Sequence, residues 1–238
     1  MLTTLTQSIS SLVFPQQCES CRQALPPIHR YPVCSDCEKQ VRPLGAPHCP
    51  FCGRTTLEEG LRCGQCPREI FSFDRAYACA GYEGVLKNLL HAYKFGGQTA
   101  LKTFFLRFMC VFIDRHLPGS AFQAVAAVPL DKERRRVRGF NQAALLAAGI
   151  ASHLKIEDGS QHLSRLPSGQ AQARLSREQR SANVQDRFHA DKNGFFRCKN
   201  VLLVDDILTT GLTSSECARA LKTAEARSVT ALALARGI

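Results

Sequence analysis

Four C-x-x-C pairs constrain this chain more than any other feature of its sequence. A C-x-x-C turn directs two thiolates at one point, and a tetrahedral zinc ion needs two such turns to reach four sulfur ligands. The spacing therefore predicts two structural zinc ions in a double zinc ribbon over residues 16–70. The eight predicted ligands are Cys18, Cys21, Cys34, Cys37, Cys49, Cys52, Cys63 and Cys66.

Pairing of neighbouring C-x-x-C turns is favoured because it closes the shortest loops, although the short gaps leave nested and interleaved pairings open. A closed site of four thiolates leaves no open position, which favours a structural metal over a catalytic one. Tandem pairs in a Pro-rich segment also differ from a single redox C-x-x-C that opens a helix. The other four cysteines stand singly among apolar neighbours, and we expect them in or near the core: Cys79, Cys110, Cys198 and Cys217.

Composition narrows the class of protein. The 238 residues are 45% hydrophobic, and 31 Lys and Arg against 20 Asp and Glu give a net charge of +11. A core of ordinary size is possible, and no apolar run reaches the ~20 residues of a membrane span. The first 17 residues lack the pattern of a secretory signal, and residues 1–15 are predicted as a helix. We therefore expect a cytoplasmic protein with reduced thiols and anionic ligands.

Residues 71–238 form a second predicted domain, in which apolar strands alternate with helical periodicity. Such alternation predicts an α/β fold with a parallel sheet flanked by helices. Phe104, Phe108 and Phe112 recur every four residues and are expected in a helix core rather than in a base-stacking stripe. The predicted strands are 75–82, 124–128, 201–204 and 229–234, and the predicted helices are 85–95, 100–117, 140–154 and 213–224.

The segment VLLVDDILTTGLT (residues 201–213) carries the sharpest chemical signal. An apolar strand ends in Asp205 and Asp206, and a loop then leads into a helix predicted to be capped by Thr213. Backbone N–H groups at a helix start, with threonine hydroxyls beside them, suit a phosphate group. The predicted phosphate-binding residues are Thr209, Thr210, Gly211, Leu212 and Thr213.

Two carboxylates would repel a phosphate placed directly on them, so they need a different partner. A sugar diol or a divalent cation provides one. A ligand with a phosphate at one end and vicinal hydroxyls beside it is a ribose 5-phosphate.

A second basic segment, VPLDKERRRVRGFNQ (residues 128–142), follows another predicted strand. It is predicted as a loop in which Lys132, Arg136 or Arg138 holds a pyrophosphate group. Residues 170–183 form a third polar, basic segment, predicted as a loop that passes into a short helix. For both segments an ordinary solvated surface is the alternative.

The segment at 201–213 resembles the binding signature for phosphoribosyl pyrophosphate of the type I phosphoribosyltransferases. Nearly the whole chain resembles the ComF family of competence-associated proteins, through the four C-x-x-C pairs, YKFG (93–96), VPL with RGFNQ, and residues 170–183. The resemblance implies a double zinc ribbon joined to a phosphoribosyltransferase-type domain. It puts Asp205 and Asp206 on the ribose hydroxyls and magnesium, residues 209–213 on the 5-phosphate, and Arg138 near the pyrophosphate.

Two functions follow as hypotheses. The first is a magnesium-dependent phosphoribosyltransferase that displaces pyrophosphate from C1 of the ribose, with Asp205, Asp206 and Arg138 as catalytic residues and an acceptor that the sequence does not identify. The second is a non-catalytic protein that handles single-stranded DNA and uses the fold as a ligand sensor or scaffold. The family resemblance implies a role in DNA uptake, with competence proteins as partners.

Overall fold

A five-stranded parallel sheet forms the centre of the larger domain, as predicted. Its strand order is β1-β7-β6-β2-β3, and every neighbouring pair is parallel. These strands are β1 (Arg75–Gly81), β2 (Ala124–Ala127), β3 (Glu157–Asp158), β6 (Asn200–Leu208) and β7 (Ser228–Arg236). Two short strands, β4 (Leu163–Arg165) and β5 (Phe188–Ala190), form a separate antiparallel pair.

Six α-helices lie in the part of the chain that this computed structural model describes. They are α1 (Ser35–Gln40), α2 (Gly84–Phe95), α3 (Leu101–His116), α4 (Lys132–Arg138), α5 (Gln142–Leu154) and α6 (Leu212–Thr223). None of these helices has the length and apolar character needed to cross a bilayer. The structure describes residues 16–27, 29–45, 47, 49, 51–58, 60–64, 71–118, 121–166 and 187–237. The predicted helix at 1–15, Cys66 and the segment 170–183 lie outside these residues.

Both faces of the sheet are buried, each by its own core, and successive side chains of a strand alternate between the two faces. On β6, Leu202 and Val204 pack into a core that includes side chains of α2, α3 and α5. Val201 and Leu203 pack into a second core, on the side of α6 and of β4 and β5. The near-continuous apolar run of the strand is therefore explained by burial on both faces. Of the predicted phenylalanine stripe, Phe104 and Phe112 are buried and Phe108 is partly buried against the first core.

The two cysteine modules lie on either side of the edge strand β1. Cys18, Cys34 and Cys37 belong to the first core, whereas Cys49 and Cys52 belong to the second. The connecting segment crosses β1, where the Leu44 N–H donates to the Cys79 carbonyl (2.9 Å) and Pro43 forms a bridge with Ala80. An uncovered edge strand invites pairing with other chains, and the cysteine modules cover this one.

A second contact joins the first cysteine module to α3. Tyr31 packs edge-on against Phe104, with 6.1 Å between ring centroids, and Arg107 pairs with Glu38 of α1. The Arg107 guanidinium also lies 5.6 Å from the centre of the Tyr31 ring. The module is therefore attached to the domain by apolar, aromatic and ionic contacts, in addition to any metal it holds.

Several sequence predictions differ from the structure. β6 extends to Leu208, so the two aspartates lie inside the strand and not after it. α6 begins at Leu212, one residue after Gly211, so the predicted cap by Thr213 is wrong. The predicted loop at 128–142 contains α4, capped by the Asp131 carboxylate, which accepts from the Glu133 N–H (3.0 Å). Among the single cysteines, Cys79 and Cys217 are buried, but Cys110 is half-buried and Cys198 is exposed.

Candidate functional site

The sulfur atoms of the first two C-x-x-C pairs converge on one point. Those of Cys18, Cys21, Cys34 and Cys37 all lie within 4.8 Å of one another, and the Cys21 and Cys34 sulfurs are 3.7 Å apart. A tetrahedral zinc ion with sulfur ligands at about 2.3 Å requires an edge of about 3.8 Å between sulfurs. The cluster therefore has the ligand number, chemistry and spacing of a structural zinc site, with the neighbouring turns paired as predicted.

Cys49, Cys52 and Cys63 form a second cluster of the same kind. The Cys52 and Cys63 sulfurs lie 3.3 Å apart, and the turn that begins at Cys49 is closed by the Gly53 N–H, which donates to the Cys49 carbonyl (2.9 Å). The predicted fourth ligand, Cys66, lies outside the described residues, so its place in this cluster stays a prediction.

The first cluster favours a thiolate at one of its members. Burial opposes ionisation of Cys18, but backbone hydrogen bonds from Cys21, Cys34 and Ser20 outweigh it and lower the pKa of Cys18 to about 6. Burial and the neighbouring thiols raise the pKa of Cys37. Zinc binds thiolates, and a bound cation would favour ionisation of the remaining members of the cluster.

Asp205 and Asp206 lie in the C-terminal half of β6, at the edge of the sheet where the parallel strands end. In open α/β sheets this edge is where ligands bind. The Asp206 N–H donates to the Asp205 carboxylate (2.8 Å). Burial, and then the Asp206 carboxylate, raise the pKa of Asp205 to about 8, against the lowering effects of that N–H and of Lys94.

Lys94, in the last turn of α2, completes this acidic pair and was not predicted as a site residue. Its ammonium nitrogen lies 2.7 Å from Asp206 Oδ1, and the two side chains are only 15% and 13% exposed. A signal for it was present, because Lys94 continues the stripe of buried residues Leu86 and Leu90 at four-residue spacing. A lysine on an apolar stripe has a partner inside the fold far more often than one on a solvated face.

Arg138, at the end of α4, also reaches this region. Its guanidinium carbon lies 4.7 Å from the centre of the exposed Phe95 ring, and Nη1 donates to Gln142 Oε1 (3.3 Å). Burial lowers the pKa of Arg138, and the negative charge of Asp206 opposes that shift. That Arg138 and Asp206 share one ligand site stays a prediction.

The other residues of the RGFNQ motif (138–142) anchor the backbone next to Arg138. The Asn141 side chain caps α5 by accepting from the Ala143 N–H (3.1 Å) and donates to the Val128 carbonyl at the end of β2 (3.0 Å). Phe140 packs against the buried Tyr93, with 5.6 Å between ring centroids. The motif thus ties the Arg138 segment to β2 and to the end of α2.

The other two predicted pyrophosphate ligands lie elsewhere on α4. Lys132 and Arg136 are both exposed, and the side chain of neither forms a hydrogen bond or ion pair with any residue that the structure describes. Arg138 differs from both in packing against Phe95, the residue next to Lys94. The exposed positions of the other two leave them able to turn toward a ligand, and their role stays a prediction.

The threonine loop follows β6 directly. Thr209, Thr210 and Thr213 are exposed, and so is half of Leu212. Gly211 has φ +86°, and a Cβ at this residue would lie 3.2 Å from Cε1 of Phe71. The position therefore needs glycine for its backbone conformation and for its close packing. The first-turn N–H groups of α6 begin at this loop, and the Leu212 N–H donates to Thr210 Oγ1 (3.4 Å).

Phe71 and its neighbours hold the loop from the side of the second cysteine module. Phe71 stacks on Phe73, with 4.7 Å between ring centroids, and both are largely buried. The Ser72 N–H donates to Ser215 Oγ in the first turn of α6 (2.9 Å). The segment after the predicted ribbons therefore packs directly against the threonine loop, a contact that the sequence did not predict.

The sequence of this chain is similar to a known domain family and to several known proteins. Residues 9–67 match the model of the double zinc ribbon domain. The chain is 29% identical over 231 residues to competence protein F of Haemophilus influenzae, covering 94% of this chain and 98% of that protein. It is 30% identical over 213 residues to the DNA utilization protein YhgH of Salmonella typhimurium, covering 88% of this chain and 92% of that protein.

The chain belongs to the ComF family. Both the zinc-ribbon module and the sheet domain are covered by these alignments, so the resemblance predicted from the sequence is confirmed. Among solved structures, the chain is similar to the glutamine phosphoribosylpyrophosphate amidotransferase of Bacillus subtilis, with a TM-score of 0.44 and 18% identity. That similarity covers 60% of this chain and 30% of the amidotransferase.

Proposed function

We propose that this ComF-family protein binds phosphoribosyl pyrophosphate with magnesium in the cytoplasm and transfers the phosphoribosyl group to an acceptor. One observation carries the proposal. The acidic pair on β6 runs without interruption into the glycine-threonine loop and the start of α6. A diol-binding element and a phosphate-binding element therefore lie side by side, in the order that a ribose 5-phosphate presents.

The charges around the acidic pair support a ligand with two anionic ends. The threonine loop offers hydroxyls and N–H groups without a lysine, which suits the 5-phosphate. Arg138 comes from a different element, the end of α4, and its planar guanidinium would bind the pyrophosphate through two hydrogen bonds. Asp206 would then accept hydrogen bonds from the ribose hydroxyls between these two groups.

The donor set also fits magnesium. This ion binds through one or two carboxylates together with substrate phosphates. Asp206 would supply carboxylate oxygens, and Asp205 would do so once the bound cation favours loss of its proton. When bound, magnesium would neutralise charge on the leaving pyrophosphate. The threonine loop would hold the 5-phosphate and so position the ribose, and Arg138 would stabilise the departing pyrophosphate. The bond between C1 and the pyrophosphate oxygen breaks as the nitrogen of the acceptor attacks C1.

A pyrophosphate-release assay tests this proposal. Wild-type protein, magnesium and phosphoribosyl pyrophosphate are incubated with a panel of nucleobases and amines, and released pyrophosphate is measured. We expect release with one chemical class of acceptor and none from Asp205→Asn/Asp206→Asn. Release at an equal rate from the double variant, or no release with any acceptor, would contradict the transferase.

A second function, binding of single-stranded DNA, is favoured by the surface of the second cysteine module. Phe51 and Leu61 are almost half exposed and Leu57 is 92% exposed, and the Arg62 guanidinium lies 5.2 Å from the centre of the Phe51 ring. Exposed aromatic and basic side chains suit the stacking of bases and the binding of phosphates. The net charge of +11 and the names of the relatives agree with this candidate.

A gel-shift titration with single-stranded DNA separates this surface from the ribose-phosphate site. Because stacking contributes about 1–3 kcal/mol per base, Phe51→Ala should weaken binding by about fivefold or more. Val111→Ala removes an exposed apolar side chain from α3 and is the control. Equal affinity of the two variants would remove the surface as a DNA site.

A further inference from the structure

Lys94 places a positive charge directly beside Asp206. The ammonium nitrogen is 2.7 Å from Asp206 Oδ1, and both side chains are largely withdrawn from solvent. By comparison, the side chains of the Arg165–Asp131 pair are 25% and 28% exposed, and those of Lys39 and Asp36 are 77% and 74% exposed. A withdrawn pair is screened less by salt and water than an exposed one.

The helix sets the direction of the lysine. Leu86 and Leu90 are fully buried on the same stripe of α2, and Tyr93 beside them packs against Phe105 and Phe140. Residues four apart lie on one face of a helix, so the buried stripe turns Lys94 inward toward β6. The pairing is therefore built into the packing of α2 on the sheet.

We propose that Lys94 is the internal counter-cation of Asp206, and that a divalent cation must displace it before coordinating this carboxylate. The displaced ammonium gains a new partner when an anionic ligand binds, because pyrophosphate oxygens would lie beside it. Divalent cation and ligand would therefore bind together more tightly than either binds alone. The identity of this ligand rests on the proposed function, whereas the competition between the two cations does not.

Binding of Mn²⁺ alone, followed by electron paramagnetic resonance without any phosphate ligand, tests the competition. We expect weak binding to the wild type and at least about tenfold tighter binding to Lys94→Met, which keeps an unbranched side chain one atom shorter and removes its charge. Lys94→Arg keeps the charge and should bind Mn²⁺ as weakly as the wild type. Lys87→Met removes an exposed lysine two turns earlier on α2 and is the control, with no change expected.

Further variants tie the result to this carboxylate. Adding Asp206→Asn to Lys94→Met should abolish the gain in Mn²⁺ affinity. Should Lys94→Met fail to fold, as judged by its thermal transition, Lys94→Gln provides the same test with a polar side chain.

Three results would overturn the inference: equal Mn²⁺ affinity of wild type and Lys94→Met, a gain of equal size in Lys94→Arg, or a gain that survives Asp206→Asn. Failure of the proposed function gives a different pattern. In that case the wild type does not bind phosphoribosyl pyrophosphate with magnesium, while Lys94→Met still gains Mn²⁺ affinity through Asp206.

Discussion

Gly53 connects the second cysteine module to the edge strand of the sheet, and its replacement by alanine should be costly. A Cβ at this position would lie 3.0 Å from the Ala76 carbonyl oxygen and 3.1 Å from the Tyr77 Cα, both backbone atoms of β1. Its φ of +70° adds about 1–2 kcal/mol of strain for an L-residue with a side chain. Overpacking against backbone adds about 1–3 kcal/mol. Gly53→Ala should therefore lower the free energy of unfolding by about 2–5 kcal/mol.

Urea denaturation at a fixed zinc concentration measures this loss, and Gly60→Ala is the matched control. Gly60 has a similar φ of +78°, but no atom of the residues that the structure describes lies within 4 Å of its missing Cβ. It should therefore show only the strain of about 1–2 kcal/mol. The excess loss in Gly53→Ala is then the cost of separating the module from β1. Equal losses in the two variants would refute the close packing of the module on the edge strand.

Three further perturbations test other parts of the structure. Removing metal with a chelator should lower the melting temperature of the sheet domain as well as that of the cysteine modules, because Cys18 and Leu202 share one core. An unchanged transition of the sheet domain in calorimetry would refute this coupling. Because the pKa of Asp205 is raised from 3.8 to about 8, the folded protein keeps a proton that the unfolded chain releases between these values. The free energy of unfolding should therefore fall by up to about 1.4 kcal/mol per pH unit as the pH rises through this window, and urea titrations should show a flatter slope for Asp205→Asn. Phe71→Ala should lower the free energy of unfolding measured by urea denaturation by about 3 kcal/mol. It should also loosen the threonine loop and lower the affinity for phosphoribosyl pyrophosphate. An unchanged affinity would show that Phe71 does not hold the loop.

Local chemistry explains which parts of the fold could be predicted from the sequence. The C-x-x-C spacing predicted the first thiol cluster, because two short turns bring four sulfurs together without help from distant residues. The apolar runs predicted the strands of a parallel sheet buried on both faces. The sequence did not predict that the two cysteine modules lie on opposite faces of β1, since this depends on how Pro43 and Leu44 cross that strand.

In the candidate site, too, the residues that are adjacent in sequence could be predicted and those brought together by packing could not. Asp205, Asp206 and the threonine loop are continuous in sequence, so their motif was visible. Lys94 comes from a helix far earlier in the chain, and only the packing of α2 on the sheet brings it to Asp206. The start of α6 was predicted wrongly because the Thr213 motif has the form of a cap, whereas the left-handed backbone of Gly211 begins the helix earlier.

The most direct test of the central claim is a calorimetric titration of the wild-type protein with phosphoribosyl pyrophosphate in the presence and absence of magnesium. We expect saturable binding at one site that requires magnesium and is lost in Asp205→Asn/Asp206→Asn, with an unchanged thermal transition showing that the double variant folds. Binding of the double variant with wild-type affinity would contradict the assignment of the acidic pair on β6 to the ribose and its metal.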